Sequence, residues 1–119
     1  MENEYNFEKL QVYQEGMNLV EEIYRITRNF PKEEQYGMIA QIRRAALSVP
    51  LNIAEGKGRF HTKIFIQFLY QARGSLYEVM ALIKLSLRLA YLKEQETKEL
   101  LTRCRAISIK ISNLINSMK

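Results

Sequence analysis

The sequence predicts an all-α protein, an antiparallel up-down-up-down four-helix bundle, on the strength of three observations. Apolar residues recur at helical spacing in four segments, and short connectors join these segments. Only five glycines and two prolines occur in 119 residues, too few for an all-β protein with many turns. Helices linked by short connectors pack as antiparallel neighbours. The length suits one core, so residues 1–119 are assigned to a single four-helix-bundle domain.

The first helix is predicted from about Phe7 or Lys9 to Asn29. Seven residues form its predicted core stripe: Val12, Tyr13, Met17, Val20, Ile23, Tyr24 and Thr27. Gly16 lies within this stripe, which favours a close approach to another helix. Pro31 ends the helix, because a residue that precedes proline is displaced from the α conformation.

The second helix is predicted from about Tyr36 to Glu55. Its apolar stripe is regular and contains Met38, Ile42, Ala45, Ala46, Val49 and Ile53. Pro50 lacks an N–H group and its ring crowds the preceding turn, so we expect a kink there. Alternatively, Ser48 caps a fresh helical turn that carries Pro50 in its first turn. The segment 56–58, Gly-Lys-Gly, is expected to cap this helix and to form a flexible joint.

The last two helices are predicted from about Thr62 to Tyr91 and from about Glu96 to Met118. The core stripe of the third contains Phe65, Phe68, Leu69, Ala72, Leu76, Val79, Ile83, Leu87 and Ala90. That of the fourth contains Leu100, Leu101, Cys104, Ile107, Ile111, Leu114, Ile115 and Met118. Since Cys104 falls in a core stripe, we expect a buried and unreactive thiol.

Composition excludes several classes of protein. One cysteine excludes an internal disulfide and a cysteine-based metal cage, and it favours a reducing compartment. The first residues are acidic, unlike a signal peptide, and no apolar run reaches the roughly 20 residues that a membrane span needs. We therefore expect a cytoplasmic protein without cofactor, metal or membrane contact.

The net charge of +5 is unevenly distributed along the chain. Residues 1–34 contain eight acids and four bases, whereas residues 35–119 contain five acids and fourteen bases. A basic body behind an acidic first segment favours binding to a polyanion, or to an acidic face of another subunit. An ordinary basic surface is the alternative interpretation.

Catalysis is not predicted. His61 is the only histidine, and the sequence places no partner beside it for acid–base chemistry on RNA. Glu55 is the carboxylate that an RNA-processing hypothesis would pair with it. Neither a phosphate-binding loop nor a metal-ligand cluster occurs. The chain is therefore predicted not to be an enzyme.

Cations outside the core stripes are the candidates for phosphate contacts. These are Arg43, Arg44, Lys57, Arg59, Lys63, Arg73, Lys84 and Arg88. Four of these cations, Lys63, Arg73, Lys84 and Arg88, share an arc of the third helix with Tyr70 and Tyr77. This mixture suits nucleic acid, because cations neutralise phosphate and tyrosines stack on unpaired bases. It equally suits a subunit interface, where tyrosine and arginine are enriched.

A second group of residues is predicted at an oligomer interface: Leu47, Leu51, Asn52, Glu55, Tyr70 and Tyr77. Leu47 and Leu51 lie outside the core stripe of the second helix, which leaves apolar surface for a partner. Asn52 and Glu55 have two interpretations. Either they form a polar network at the kink or interface, or they face a ligand near Gly56.

The segment from Gln41 to Gly56 (QIRRAALSVPLNIAEG), preceded by Phe-Pro and Tyr-Gly, resembles the four-helix-bundle family of 23S rRNA intervening-sequence proteins. The segment from Phe68 to Glu78 is similar to a second signature of that family. The resemblance extends from about Leu10 to Met118. Ala90 departs from it, because relatives often carry glycine there.

This resemblance implies a homopentameric ring. It also implies a relation to the accessory protein of diversity-generating retroelements, a basic barrel that binds nucleic acid and a reverse transcriptase. For most members the activity is unknown. The function predicted for this chain is therefore a non-enzymatic, oligomeric accessory protein that binds RNA or DNA. The alternative is a protein–protein interaction adaptor whose basic and aromatic surface serves subunit packing.

Overall fold

Four α-helices dominate the computed structural model, which describes residues 5–119. They are α1 (Gln11–Thr27), α2 (Met38–Gly58), α3 (Thr62–Arg88) and α4 (Glu94–Ser117). Two short 3-10 turns, Asn6–Lys9 and Lys32–Glu34, precede α1 and α2 respectively. No strand occurs in the described part of the chain, so the all-α prediction is confirmed.

Each helix packs against two others. α1 contacts α2 and α4, α3 contacts α2 and α4, and the α2–α3 contact is the most extensive. Near the start of α2, Gln41 donates to Glu78 in the second half of α3. Near the end of α2, Gly56 lies against Phe65 and Phe68 in the first turns of α3.

The core stripe predicted for α2 is confirmed, because all six of its residues are buried. The stripe predicted for α1 is partly wrong. Leu19 and Ile26 are buried although they were not assigned to it, and Met17 is exposed. Val12, Ile23 and Thr27 of the predicted stripe are buried, whereas its other members lie at the edge of the core or outside it. Tyr24, for example, is half-buried beneath Arg43 of α2.

The predicted joint at residues 56–58 is wrong, because α2 continues to Gly58. Gly56 is buried inside the helix, where an added Cβ would lie 2.5 Å from Phe68 Cβ. This glycine therefore permits a close approach between α2 and α3. The helix also continues through Pro50, which is buried beside Gly16 of α1. The predicted close approach at Gly16 is confirmed.

The other helix boundaries differ from the predicted ones by a few residues. α3 ends at Arg88, and Ala90 then adopts a left-handed conformation with a φ of 64°. α4 begins earlier than predicted, because the Glu96 carboxylate accepts the backbone N–H of Lys93, 2.9 Å away. None of the helices in residues 5–119 combines the length and apolar character that a membrane crossing requires.

A candidate nucleic-acid surface on α3 and α4

An open groove lies between α3 and α4 on the outside of the bundle. Its volume is about 520 Å³, and its lining comprises Tyr77, Met80, Ala81, Lys84, Arg105, Ser108 and Ile109. A second recess of about 620 Å³ shares Met80, Lys84 and Arg105 with it and extends towards the start of α4. This recess adds Leu87, Glu94, Thr97, Lys98, Leu101 and Thr102. We call the two together the α3–α4 groove.

The lining of the α3–α4 groove combines positive charge with exposed apolar surface. Its charged side chains are three cations, Lys84, Lys98 and Arg105, and one acid, Glu94. None of the three cations forms an ion pair within residues 5–119. Tyr77 is 57% exposed and Ile109 is 53% exposed. The surface therefore offers cations to an anionic group and an aromatic ring to a planar one.

Two of the predicted phosphate ligands instead connect helices to each other. Arg43 donates from Nε to Thr27 Oγ1, 2.9 Å away, and its guanidinium carbon lies 4.4 Å from the centre of the Tyr24 ring. Arg73 of α3 donates to Ser112 Oγ of α4, also 2.9 Å away. Both half-buried guanidinium groups thus bridge neighbouring helices.

Three more predicted ligands lie on α2 or directly after it, and each has a partner on α2 or on α3. Arg44 pairs with Glu78 at 3.4 Å, and Arg59 pairs with Glu55 at 2.9 Å. The Lys57 ammonium lies 5.4 Å from the centre of the Phe65 ring. The two ion pairs are exposed and contribute little to stability. These side chains can therefore exchange partners at small cost.

The remaining predicted ligands, Lys63, Lys84 and Arg88, are exposed on α3, and Lys84 is the one that lines the α3–α4 groove. Sequence reasoning missed Lys98 and Arg105. Their signal is weak, because isolated cations on the polar side of α4 indicate no site. Only the packing of α4 beside α3 brings them next to Lys84.

The residues predicted at an oligomer interface lie on two helices, four on α2 and the two tyrosines on α3. Leu51 is 59% exposed and Leu47 is half-buried, both on α2. Asn52 donates to the Ser48 carbonyl of its own helix, 2.7 Å away. The Glu55 carboxylate pairs with Arg59, as described above. Asn52 and Glu55 thus each have a partner within four residues along the chain.

The two tyrosines of α3 have different surroundings. Tyr77 lines the α3–α4 groove. Tyr70 accepts a hydrogen bond from Lys119 Nζ at 2.8 Å, and this ammonium lowers the pKa of the tyrosine. The Arg73 guanidinium carbon lies 4.9 Å from the centre of the same ring. Tyr70 is therefore surrounded by positive charge.

The side chains considered for catalysis lie apart from the α3–α4 groove. His61 is exposed in the connector between α2 and α3. Cys104 is fully buried, as predicted, and burial raises the pKa of its thiol to about 12. Within residues 5–119, no group of three or more acidic, histidine or cysteine side chains is placed to hold a metal ion.

A sequence model of one protein family, described as "23S rRNA-intervening sequence protein", matches residues 8–113. The chain belongs to this family. The resemblance found in its sequence motifs is thereby confirmed, and the family's own function is unknown.

A solved structure supports the same fold. It is the crystal structure of a protein of unknown function from the S23 ribosomal protein family of Bacteroides thetaiotaomicron, which is 20% identical to this chain. The two superpose with a TM-score of 0.78 over 87% of this chain and 97% of that one. At this identity the likeness shows the fold alone. No curated protein is significantly similar to the chain.

Proposed function

We propose that this family member is a non-enzymatic accessory protein that binds RNA or DNA in the α3–α4 groove. One observation carries the proposal: Lys84, Lys98 and Arg105 converge on one groove together with exposed Tyr77. Three cations neutralise successive phosphates, and the release of counterions supplies the binding free energy. The 23S rRNA in the family's description supports RNA as the first ligand to test.

The proposed assembly is a ring of identical subunits, each an antiparallel up-down-up-down bundle. The contacts of α2 with α3 support the antiparallel arrangement, since the start of α2 meets the later part of α3 and its end meets the early part. The 59% exposure of Leu51 supports a subunit contact on the outer face of α2. Three further points stay predictions from the sequence and its family resemblance. They are the number of five subunits, the cytoplasmic location and a reverse transcriptase as partner.

Charge removal from the groove tests the binding proposal. We expect the triple variant Lys84→Gln, Lys98→Gln and Arg105→Gln to lose about tenfold or more in affinity for a fluorescent 20-nucleotide RNA at low salt. The measurement is fluorescence anisotropy at a fixed salt concentration. An unchanged affinity in this variant would exclude the groove as the binding surface.

The matched control removes three exposed cations from the acidic first part of the chain, Lys9, Arg28 and Lys32. Replacing each with glutamine lowers the net charge from +5 to +2, the same value as in the groove variant. We expect this control to retain most of the affinity, because its substitutions lie outside the groove. Equal losses in the two triple variants would indicate a general charge effect with no defined site.

A protein-interaction adaptor is the second candidate function, and exposed Leu51 favours it. In this version the apolar face of α2 binds another protein, and the basic surface serves subunit packing. Leu51→Glu is expected to release such a partner without changing RNA affinity. Wild-type protein that binds no RNA, together with a protein partner that survives nuclease treatment, would favour the adaptor.

A further inference from the structure

Phe60, in the connector between α2 and α3, combines two unfavourable features. Its φ is 56°, in the left-handed region that favours glycine, and its side chain is 84% exposed. A bulky side chain is strained in this conformation, and an exposed phenyl ring gains nothing from burial. The chain therefore holds an aromatic ring in solvent at a conformational cost.

Ala90 provides the internal comparison, because it is the other non-glycine residue in residues 5–119 with a positive φ. There the left-handed turn ends α3: the Tyr91 N–H donates to the Ser86 carbonyl, 2.8 Å away, as helix C-termini commonly do. The side chain at this position is only a methyl group. Helix termination thus explains the conformation of Ala90 but does not explain the exposed ring of Phe60.

A recess of about 280 Å³ lies beside the Phe60 ring. Its lining comprises Lys57, Phe60, His61, Thr62, Phe65 and Met118. The Lys57 ammonium lies 5.4 Å from the centre of the Phe65 ring, so a cation and two aromatic rings border one space. Such a combination suits a planar group that carries a nearby negative charge.

The electrostatic surroundings of the recess are positive. Lys57 is a charged side chain of its lining, and residues 56–63 also contain Arg59 and Lys63 and no acid. The preceding acid, Glu55, is paired with Arg59 at 2.9 Å. The ligand complementary to this charge is an anion, and the rings select an anion that carries an aromatic base.

We propose that the Phe60 recess binds an unpaired nucleobase of a single-stranded nucleic acid. Phe60 stacks on the base, and Lys57 and Lys63 lie near the flanking phosphates. The proposal deepens the proposed function and rests on it, because it requires that the chain binds nucleic acid. Stacking on an aromatic ring is available to every base, so the recess discriminates unpaired from paired strands and not one sequence from another.

The test compares Phe60→Gly with Ala90→Gly, since each replaces a left-handed residue with glycine. The probes are a fluorescent 12-nucleotide oligouridine and a fluorescent RNA duplex of equal length, and affinity is measured by anisotropy. We expect Phe60→Gly to lose about tenfold in affinity for the single strand, the loss of one stacked base, and less than twofold for the duplex. Phe60→Tyr and Ala90→Gly should bind like the wild type.

A melting temperature for Phe60→Gly at or above the wild-type value would show that the loss does not arise from unfolding. Unchanged single-strand affinity in this variant, or equal losses for the single strand and the duplex, would overturn the proposal. A wild type that binds neither RNA would instead overturn the proposed function, and this inference with it. Vesicles containing phosphatidylglycerol provide a further arm: binding to them that depends on Phe60, without single-strand binding, would assign the ring to a membrane surface.

Discussion

The α1–α2 contact and the α3–α4 groove contain the same kind of cation in opposite circumstances. In the first, Arg43 is half-buried, donates to Thr27 at 2.9 Å and lies over the Tyr24 ring. In the second, Lys84 and Arg105 line open space and form no ion pair within residues 5–119. Residue type alone does not distinguish a structural cation from a binding one. The distinction depends on which helix packs beside it.

The largest expected effect concerns the tightness of helix packing on the two sides of α3. Gly56→Ala should destabilise the protein by about 1–3 kcal/mol, because the new Cβ would lie 2.5 Å from Phe68 Cβ. Gly74→Ala, on the exposed side of α3, has no atom within 4 Å of the new Cβ and should stabilise the protein by about 1 kcal/mol. Urea denaturation measures both. Stabilisation by Gly56→Ala would contradict the close approach of α2 and α3.

A smaller effect on stability distinguishes Arg43, which connects two helices, from Arg105, which lines the α3–α4 groove. Arg43→Gln should destabilise the fold by about 1–2 kcal/mol, since it removes a charged hydrogen bond and the contact with Tyr24. Arg105→Gln should change stability by less than about 0.5 kcal/mol, because the side chain lies in the open groove. Urea denaturation of the two variants gives the comparison. Equal losses of stability would remove the distinction between the two regions.

The smallest effect is a pH dependence at the start of α2. Glu34 accepts the Met38 N–H at 2.9 Å and the Tyr91 hydroxyl at 2.7 Å, and these hydrogen bonds lower the pKa of its carboxyl group below the ordinary value of 4.5. Because the folded pKa lies below the unfolded one, the stabilisation is present above about pH 4.5 and is lost as the pH falls through the folded pKa.

Glu34→Gln should therefore destabilise the protein at pH 7 and weaken the decline in its stability on acidification. The measurement is the midpoint of thermal unfolding between pH 7 and pH 3. Exposed Glu33→Gln is the matched control, because the Glu33 side chain accepts no hydrogen bond in the described structure. Identical pH profiles for the wild type and Glu34→Gln would contradict a stabilising role for the two hydrogen bonds that Glu34 accepts.

The sequence predicted the four helices because the apolar stripe of each is long and regular. The prediction failed where one sequence pattern is compatible with two structures. Gly56 resembles a helix cap, yet α2 continues because Phe68 of α3 occupies the space that a side chain would take. In α1 the predicted arc containing Met17 overlaps a second arc containing Leu19, and only the packing of neighbouring helices decides which members of each are buried.

The candidate site was less predictable than the fold. Lys84 and Tyr77 were identifiable from the basic and aromatic arc of α3. Lys98 and Arg105 were not, because their role depends on the register between α3 and α4, which no local pattern in α4 specifies. Phe60 gave no signal either, since its left-handed backbone is a property of the connector and the sequence places no glycine there.

The salt dependence of RNA binding by the wild-type protein tests the central claim most directly. We propose that three groove cations neutralise three phosphates of a single strand. A plot of the logarithm of the association constant against the logarithm of the salt concentration should then have a slope of about −2 or steeper. Anisotropy titrations between roughly 50 and 200 mM salt span the range in which such a slope is measurable. A slope of about −2 or steeper supports the groove as a phosphate-binding surface. A slope near zero, or no binding at the lowest salt, would contradict it.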